Sequence, residues 1–179
     1  VNANDTLNYP APYGNSNTCS RHQMMIRASE LAGFSAGNIN SLGFNVKTAN
    51  GAILKDFEIK MKLTTDLSVT SNFDNSGFTT VWGAQDFSEI DGWNMHVFGT
   101  PFYWDGLSNI LIETCFCNGS SNSSNNAEMF YTNTSFPSTI FQYTDIDSNH
   151  CLNSSLGFTA YSRPDIRLDL QQNLPPIAS

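Results

Sequence analysis

The chain has 179 residues, a formal net charge of −8 and an isoelectric point near 4.5. Its eight basic residues are scattered and form no patch that could neutralise phosphates, which argues against nucleic acid or an anionic membrane as a partner. No apolar stretch is long enough to insert across a bilayer, and the length fits one domain with its own core.

The composition predicts an extracellular or cell-surface location. Only 13% of the residues are charged, so neutral polar side chains must provide most of the solubility. Four cysteines in such a chain are typical of an oxidising setting outside the cytoplasm. The sequence does not open with a basic and apolar signal segment, so we expect Val1 to follow a removed leader or an upstream domain.

The elements predicted along the chain are short strands. Residues 1–20 lack periodicity and are predicted to be an extended lead-in to a β-sandwich domain at residues 21–171, and residues 172–179 a linker or tail. Strands are predicted at 21–28, 39–47, 54–63, 78–87, 93–98, 108–117, 128–132, 139–144 and 165–170. Alternation of apolar and polar residues is clearest at 39–47, 54–63 and 165–170.

The connections between these strands carry turn signals. Asn50-Gly51 is a strong signal for a hairpin turn, and residues 118–127 are polar enough to form an exposed hairpin tip. About nine or ten strands, spaced roughly 8–15 residues apart with almost no helical periodicity, predict an antiparallel β-sandwich of the jelly-roll type.

The segment Ser108–Cys117 is the least ambiguous strand. It is apolar on both faces, which predicts a central strand covered on both sides, around which the fold is built. One face carries Ile110, Ile112 and Phe116, and the other carries Leu111, Cys115 and Cys117.

The four cysteines are predicted to form structural disulfides. Cys115 and Cys117 lie on one strand face about 7 Å apart, where side chains two residues apart are poorly placed to bond each other. Each therefore needs a distant partner. Two pairings remain: Cys115–Cys151 with Cys19–Cys117, which we favour, or Cys115–Cys19 with Cys117–Cys151.

No residue is predicted to be catalytic and no metal site is predicted. His22, His96 and His150 share no motif, and Cys115-x-Cys117 lacks the second close pair that a zinc site with His22 or His150 would use. Glu113 lies on the cysteine face of the central strand. A glycosidase needs a second carboxylate at a defined separation, so we interpret Glu113 as structural, hydrogen-bonded to backbone or a hydroxyl.

No cofactor is predicted, and calcium is the alternative that the sequence leaves open. The acidic loop at residues 145–149 could supply oxygen ligands, as could Asp74 and Asn75. The loop lacks both a glycine at the turn and a terminal bidentate glutamate, so a solvated turn is the preferred interpretation.

Exposed aromatic side chains would indicate a carbohydrate-binding face. The candidates are Trp82, Trp93, Tyr103 and Trp104. Tyr103, Trp104 and the adjoining Asp105 precede a turn and are the predicted glycan-binding residues. The competing interpretation is that these aromatics belong to the core, which is more common in a sandwich.

Five sequons mark possible glycosylation sites and indicate surface loops. Their acceptor residues are Asn4, Asn118, Asn122, Asn133 and Asn153.

Six blocks of sequence, spread over nearly the whole chain, carry a family resemblance. They are YPAPYGN (9–15), RHQMMIRASEL (21–31), INSLGFNV (39–46), FEIKM (57–61), GWNMHVFGTPFYWDGLSNILIETCF (92–116) and RPDIRL (163–168). In this order they resemble β-sandwich modules in secreted, multidomain surface proteins of gliding-type bacteria, which are substrates of type IX secretion. The resemblance implies roles in adhesion or assembly without assigned catalysis. It also supports pairing Cys115 with Cys151, which makes Cys19–Cys117 an added second bridge.

We therefore expect a non-enzymatic extracellular structural or adhesive module. It is either a domain of a cell-surface protein or a subunit of an extracellular filament, and its expected partners are copies of itself or other surface proteins. The alternative is a carbohydrate-binding module of a secreted protein, with a polysaccharide as its ligand. A hydrolase ranks last, because the sequence contains no nucleophile–base or paired-carboxylate constellation.

Overall fold

The computed structural model describes residues 3–7, 11–118, 126–145, 150–153 and 156–172. Within these residues the fold is all-β, with two antiparallel sheets of six strands each. The strands are β1 (Ala3–Leu7), β2 (Cys19–Ile26), β3 (Gly37–Thr48), β4 (Leu54–Thr64), β5 (Thr79–Phe87), β6 (Gly92–Trp104), β7 (Asn109–Cys117), β8 (Glu128–Asn133), β9 (Thr139–Thr144), β10 (Phe158–Ala160), β11 (Ser162–Pro164) and β12 (Ile166–Gln172).

Two short helical segments accompany the strands. A 3-10 helix covers Ala28–Leu31, and α1 covers His150–Asn153. No helix in the described part of the chain has the length and hydropathy of a membrane span.

The first eight strands have jelly-roll topology. Each strand pairs with its counterpart counted from the other end: β1 with β8, β2 with β7, β3 with β6 and β4 with β5. This is the pairing of one long hairpin rolled into two sheets. The first sheet holds β1, β8, β3 and β6, and the second holds β2, β7, β4 and β5. The predicted sandwich is confirmed.

The last four strands extend both sheets. In the second sheet, β9 pairs with β2 and β10 pairs with β9. In the first sheet, β11 pairs with β8 and β12 pairs with β3. The structure therefore has more strands than the nine or ten expected, because β1, β10 and β11 are too short or too polar to give a periodic signal.

The main core lies between the sheets, where strand alternation places it. The inward residues of β3 (Leu42, Phe44, Val46) and of β4 (Phe57, Ile59, Met61) are all buried. Their polar neighbours along each strand face outward, as the period of two requires.

The strand β7 is central and covered on both faces, as predicted. It pairs with β2 along one edge and with β4 along the other. Ile110, Ile112 and Phe116 belong to the core between the sheets. Leu111 belongs to a smaller cluster on the outer face of the second sheet, together with Met25, Val69, Phe73, Phe136 and Ile140.

The disulfides follow the favoured pairing. Cys19 and Cys117 occupy directly opposite positions on β2 and β7, with Cα atoms 4.1 Å apart. Cys115 is bonded to Cys151, with Cα atoms 5.8 Å apart, and holds α1 against β7. Two disulfides fit an oxidising compartment.

The predicted lead-in is part of the sandwich. Residues 3–7 form β1, which pairs with β8. Tyr13 is fully buried, and its ring packs at 5.7 Å edge-on against Phe44 of β3. Tyr13 stands among Pro, Gly and Asn, so its burial depends on tertiary contacts that local periodicity does not reveal.

The hairpin predicted at Asn50-Gly51 is wrong, because β3 and β4 lie in different sheets. Gly51 has the positive φ of 75° that the dipeptide indicates. The backbone N–H groups of Asn50 and Gly51 donate to the buried carboxylate of Glu89 at 2.8 and 3.2 Å. A turn dipeptide specifies a local reversal but not the sheet that the next strand joins. In the predicted tip at 118–127, residues 119–125 lie outside the described residues.

Strand β6 is longer than predicted. It begins at Gly92 and continues beyond Phe98 through Pro101 to Trp104. The pairing with β3 shifts register between Ile39 and Ser41, a bulge that accommodates this stretch. Gly and Pro masked the strand in the sequence because both residues normally interrupt strands.

Candidate functional site: the edge cleft

A cleft of about 660 Å³ borders β12 and the 3-10 helix, and we call it the edge cleft. Its apolar lining includes Ile26, Leu31, Ile166, Leu168 and Leu170. Its charged lining consists of Glu30, Arg163, Asp165, Arg167 and Asp169.

Arg163 crosses from one sheet to the other beside the cleft. Its guanidinium donates to both carboxylate oxygens of Glu30, at 2.5 and 2.9 Å, and to the backbone carbonyl of Met25. Glu30 also accepts the backbone N–H of Arg27 at 2.8 Å. Burial acts to raise the pKa of Glu30, but these hydrogen bonds and charges outweigh it and lower that pKa. The ion pair ties β11 to the end of β2.

Asp165 lies between β11, which pairs with β8, and β12, which pairs with β3. Its backbone N–H donates to Phe130 of β8 at 2.9 Å, and its carbonyl accepts from Asn45 of β3 at 3.3 Å. One carboxylate oxygen accepts the Thr132 hydroxyl at 2.7 Å. The other, Oδ2, is buried and has no hydrogen-bond partner among the described residues. The backbone and the buried carboxylate of Asp165 therefore hold the junction between β11 and β12 against β8 and β3.

Arg167 and Asp169 are exposed on the outer face of β12. The Arg167 guanidinium lies over the Trp93 ring, 4.3 Å from its centroid. Trp93, one of the aromatic candidates from the sequence, is thus placed beside the edge cleft.

The predicted glycan-binding residues do not form an aromatic face. Strand β6 continues through them, so the period of two places Phe102 and Trp104 in the core and only Tyr103 outside. Trp104 is 1% exposed, and its indole N–H donates to the Ser108 carbonyl at 2.8 Å. The prediction for Trp104 is wrong, because β6 continues past the predicted strand end at Phe98 and directs the Trp104 side chain into the core.

The Asp105 carboxylate is hydrogen-bonded within the turn that follows β6. Its carboxylate accepts the backbone N–H groups of Leu107 and Ser108 and the Ser108 hydroxyl, at 2.9, 2.7 and 2.6 Å. Burial acts to raise the pKa of Asp105, but these hydrogen bonds outweigh it and lower that pKa. A carboxylate with three local donors holds the turn.

A different group of three aromatics lies at the outer edge of the second sheet, and two of the three are exposed. Phe141 and Tyr143 of β9 share a face with Phe158 of β10. Their centroids are 5.9 to 6.5 Å apart, and the rings deviate by 16° to 39° from parallel. Tyr143 is 39% exposed and Phe158 62%. The alternation in β9 was visible in the sequence, but β10, three residues long, gave no strand signal.

Glu113 is structural, but its partners differ from those predicted. Arg21, diagonal to Glu113 on the neighbouring strand β2, donates to it from Nε at 3.0 Å and from Nη2 at 2.6 Å. Gln23 donates at 2.6 Å, and Lys60 lies 3.6 Å from the second oxygen. The Arg21 and Glu113 side chains are each 3% exposed, so this is a buried ion pair. No signal in the sequence pairs Arg21 with Glu113, although β2 and β7 are both predicted as strands.

The three histidines lie apart, each in a structural hydrogen bond. His96 Nε2 is 2.6 Å from the Tyr13 hydroxyl, and His22 Nε2 accepts the backbone N–H of Ala11 at 3.1 Å. His150 Nε2 lies 3.1 Å from a backbone carbonyl of β9. Burial lowers the pKa of His96 to about 4. Burial and then the nearby His150 lower the pKa of His22 to about 3.

The calcium alternative gains no ligand set. The described residues contain no group of three or more His, Cys, Asp or Glu side chains that could hold a metal ion. Asp74 pairs with Lys62 and accepts the Ser76 N–H at 3.0 Å. Asn75 contacts only its own turn, donating to the Phe73 carbonyl at 3.4 Å. Asp145 accepts the Thr18 N–H at 2.8 Å. Asp147, Ser148 and Asn149 lie outside the described residues.

The acceptor residues of the sequons differ in exposure. Asn118 is buried, its Oδ1 accepts the Lys55 N–H at 2.8 Å, and its Nδ2 is buried, so the folded chain does not present this acceptor. Asn133 is exposed at the end of β8. Asn122 and the side chains of Asn4 and Asn153 lie outside the described residues.

No family model, no curated protein and no solved structure matches this chain. The jelly-roll assignment therefore rests on the strand pairing alone, and the resemblance to surface modules of gliding-type bacteria stays a prediction.

We predict that Glu113→Gln lowers the free energy of unfolding by about 3–5 kcal/mol, because it removes one charge of a buried, hydrogen-bonded ion pair. The double variant Arg21→Met with Glu113→Leu should be more stable than the single variant, since it removes both buried charges. Gln23 keeps its 2.6 Å bond to the Asp74 carbonyl in both. Urea unfolding at neutral pH measures the free energy of unfolding of the single and the double variant. A double variant as unstable as Glu113→Gln would contradict the assignment.

We also predict that acidification destabilises the fold between pH 6.5 and 5, above the range in which carboxylates titrate. In the unfolded chain His22 and His96 bind a proton near pH 6.5, whereas in the folded chain they bind one only near pH 3 and 4. The unfolded state therefore holds more protons, and each histidine lowers the free energy of unfolding by up to about 1.4 kcal/mol per pH unit below 6.5.

The matched variant is His22→Gln, whose side-chain oxygen can still accept the Ala11 N–H. Its unfolding free energy should fall about half as steeply with pH as that of the wild type, whatever its absolute stability. Equal slopes in the two proteins would show that His22 is not held neutral by the fold.

Proposed function

We propose that the chain is a non-enzymatic structural or adhesive module of an extracellular or cell-surface protein. The observation that carries this proposal is the use of its ionisable side chains. Glu113 is bound in a buried ion pair, His96 is bonded to Tyr13, and Asp105 holds a turn. Groups committed to the scaffold in this way are poorly placed to exchange protons with a substrate or to attack one.

The two disulfides support an extracellular setting. Cys19–Cys117 and Cys115–Cys151 fix the same end of β7 to β2 and to α1. Such bonds stabilise a folded domain chiefly by restricting its unfolded state, and they persist outside the cytoplasm. The resemblance to type IX secretion substrates of gliding-type bacteria agrees with this setting.

A carbohydrate-binding module is the second candidate, and the aromatic cluster of Phe141, Tyr143 and Phe158 favours it, because Tyr143 and Phe158 are exposed. The exposed side chains of Tyr143 and Phe158 offer apolar ring surface against which the C–H face of a sugar can pack. If the chain binds polysaccharide, we place the site here and not at Tyr103–Trp104.

Adhesion of beads coated with the folded protein tests the proposal. We expect the beads to adhere to cells or extracellular matrix from the source organism, and adhesion to be lost when the protein is reduced and unfolded. No substrate in a glycoside and peptide panel should be turned over. Turnover abolished by a single substitution would refute the non-enzymatic assignment, and beads that never adhere would refute the adhesive one.

The same assay on purified polysaccharides separates the two candidates. If the aromatic rings bind glycan, Tyr143→Ser with Phe158→Ser weakens binding about tenfold or more, since each stacked ring contributes about 0.5–1.5 kcal/mol. The matched control is Leu67→Ser, which removes a side chain that is 67% exposed in a different loop. Equal binding by both variants would exclude this aromatic surface.

A further inference from the structure

Strand β12 is an open edge of the first sheet. Its seven residues pair with β3 along one side, and no further strand pairs with it among the described residues. Its other side borders the edge cleft. An unpaired strand edge presents N–H and C=O groups that can hydrogen-bond to another strand.

The inner face of β12 leaves apolar surface uncovered. Ile166, Leu168 and Leu170 pack against the main core but are only partly buried. Phe34, across the cleft, is 52% exposed. An additional strand beside β12 would cover this surface.

The sequence of β12 is complementary to itself in one antiparallel register. When the pairing is centred on Leu168, Arg167 of each copy lies opposite Asp169 of the other, on the outer face. Ile166 then lies opposite Leu170, and Leu168 opposite Leu168, all on the inner face over the cleft. A register centred on Asp169 instead places two aspartates opposite each other, which is unfavourable.

We propose that the edge cleft is a dimer interface, in which β12 pairs antiparallel with β12 of a second copy of this chain. Strand β12 itself contains no bulge, so its free edge can pair continuously with another strand. Its register shift against β3 falls between Ser41 and Ile39, so the extra residue, Asn40, belongs to β3 and not to β12. The two first sheets then form one continuous sheet across the dimer.

The charge pairs set the register and oppose the general repulsion between two chains of net charge −8. Arg167 must turn away from Trp93, an exposed contact worth about 0.5–1 kcal/mol. Its pairing with Asp169 of the second copy contributes about 0.2–1 kcal/mol, and it occurs twice. Electrostatics therefore select the register, while strand hydrogen bonds and the covered Ile166, Leu168 and Leu170 provide the affinity.

The inference deepens the proposed function by naming one partner, a second copy. A two-fold interface of this kind is closed at two subunits, so a filament would require another contact elsewhere on the module. The dimer is measured by mass and adhesion by the coated beads, so either proposal can fail while the other holds.

Light scattering of the oxidised protein over a concentration series tests the dimer. The wild type should approach twice the 19.7 kDa of one chain. Arg167→Asp and Asp169→Arg each turn two attractive pairs into two repulsive ones, and each should raise the dissociation constant about tenfold or more. The double variant, Arg167→Asp with Asp169→Arg, restores opposite charges and should restore the dimer.

A control and a second measurement keep the test decisive. Asp86→Arg makes the same change of charge as Asp169→Arg, but at an exposed position on β5 in the second sheet. It should leave the dimer intact. Hydrogen exchange of the wild-type β12 amides should slow with protein concentration, which tests the interface without a variant. A monomeric wild type, single variants that dimerise like the wild type, or a folded double variant that stays monomeric would each overturn the proposal.

Discussion

The fold depends on the double coverage of β7. This strand is hydrogen-bonded along both edges, to β2 and β4, and every side chain from Asn109 to Phe116 is buried. Its inner face can be purely apolar because it meets the opposing sheet. Its outer face is covered by the loop residues Val69, Phe73 and Phe136, so Glu113 on that face is buried as well. A buried carboxylate requires a counter-charge, and the pairing with β2 provides Arg21.

The two disulfides act at the same end of that strand. Cys117 fixes β2 in register with β7, and Cys115 holds α1 against it. The β2 register in turn determines which residues of β9 lie on each face, and so it positions Phe141 and the exposed Tyr143. The other end of the sandwich is joined differently. There Arg163 links β11 to Glu30 through charge and hydrogen bonds, and β12 is left with an open edge.

Much of this architecture could be predicted from periodicity. Strands β3, β4 and β12 alternate clearly, β7 is a short run that is apolar on both faces, and the cysteine spacing reduced the possible pairings to two. Long-range features could not be predicted in this way. The burial of Tyr13 and the binding of Asn50 and Gly51 by Glu89 depend on contacts between distant segments.

The candidate site shows the same limit at the level of single residues. Whether Trp104 faces the core or solvent depends on where β6 ends, and the Gly and Pro residues before it concealed the strand. Phe158 was missed because a three-residue strand carries no period. The self-complementary pattern of β12 is present in the sequence. It indicates a possible interface only once the structure places β12 at the edge of a sheet.

Native-state hydrogen exchange most directly tests the dependence of the fold on β7. The amides of β7 and of the facing edges of β2 and β4 should exchange only through global unfolding, with the same free energy that urea unfolding gives. The amides of β10 and β11 should exchange through local opening at a lower free energy. Amides of β7 that exchange more readily than those of β3 and β6 would contradict the central place of this strand.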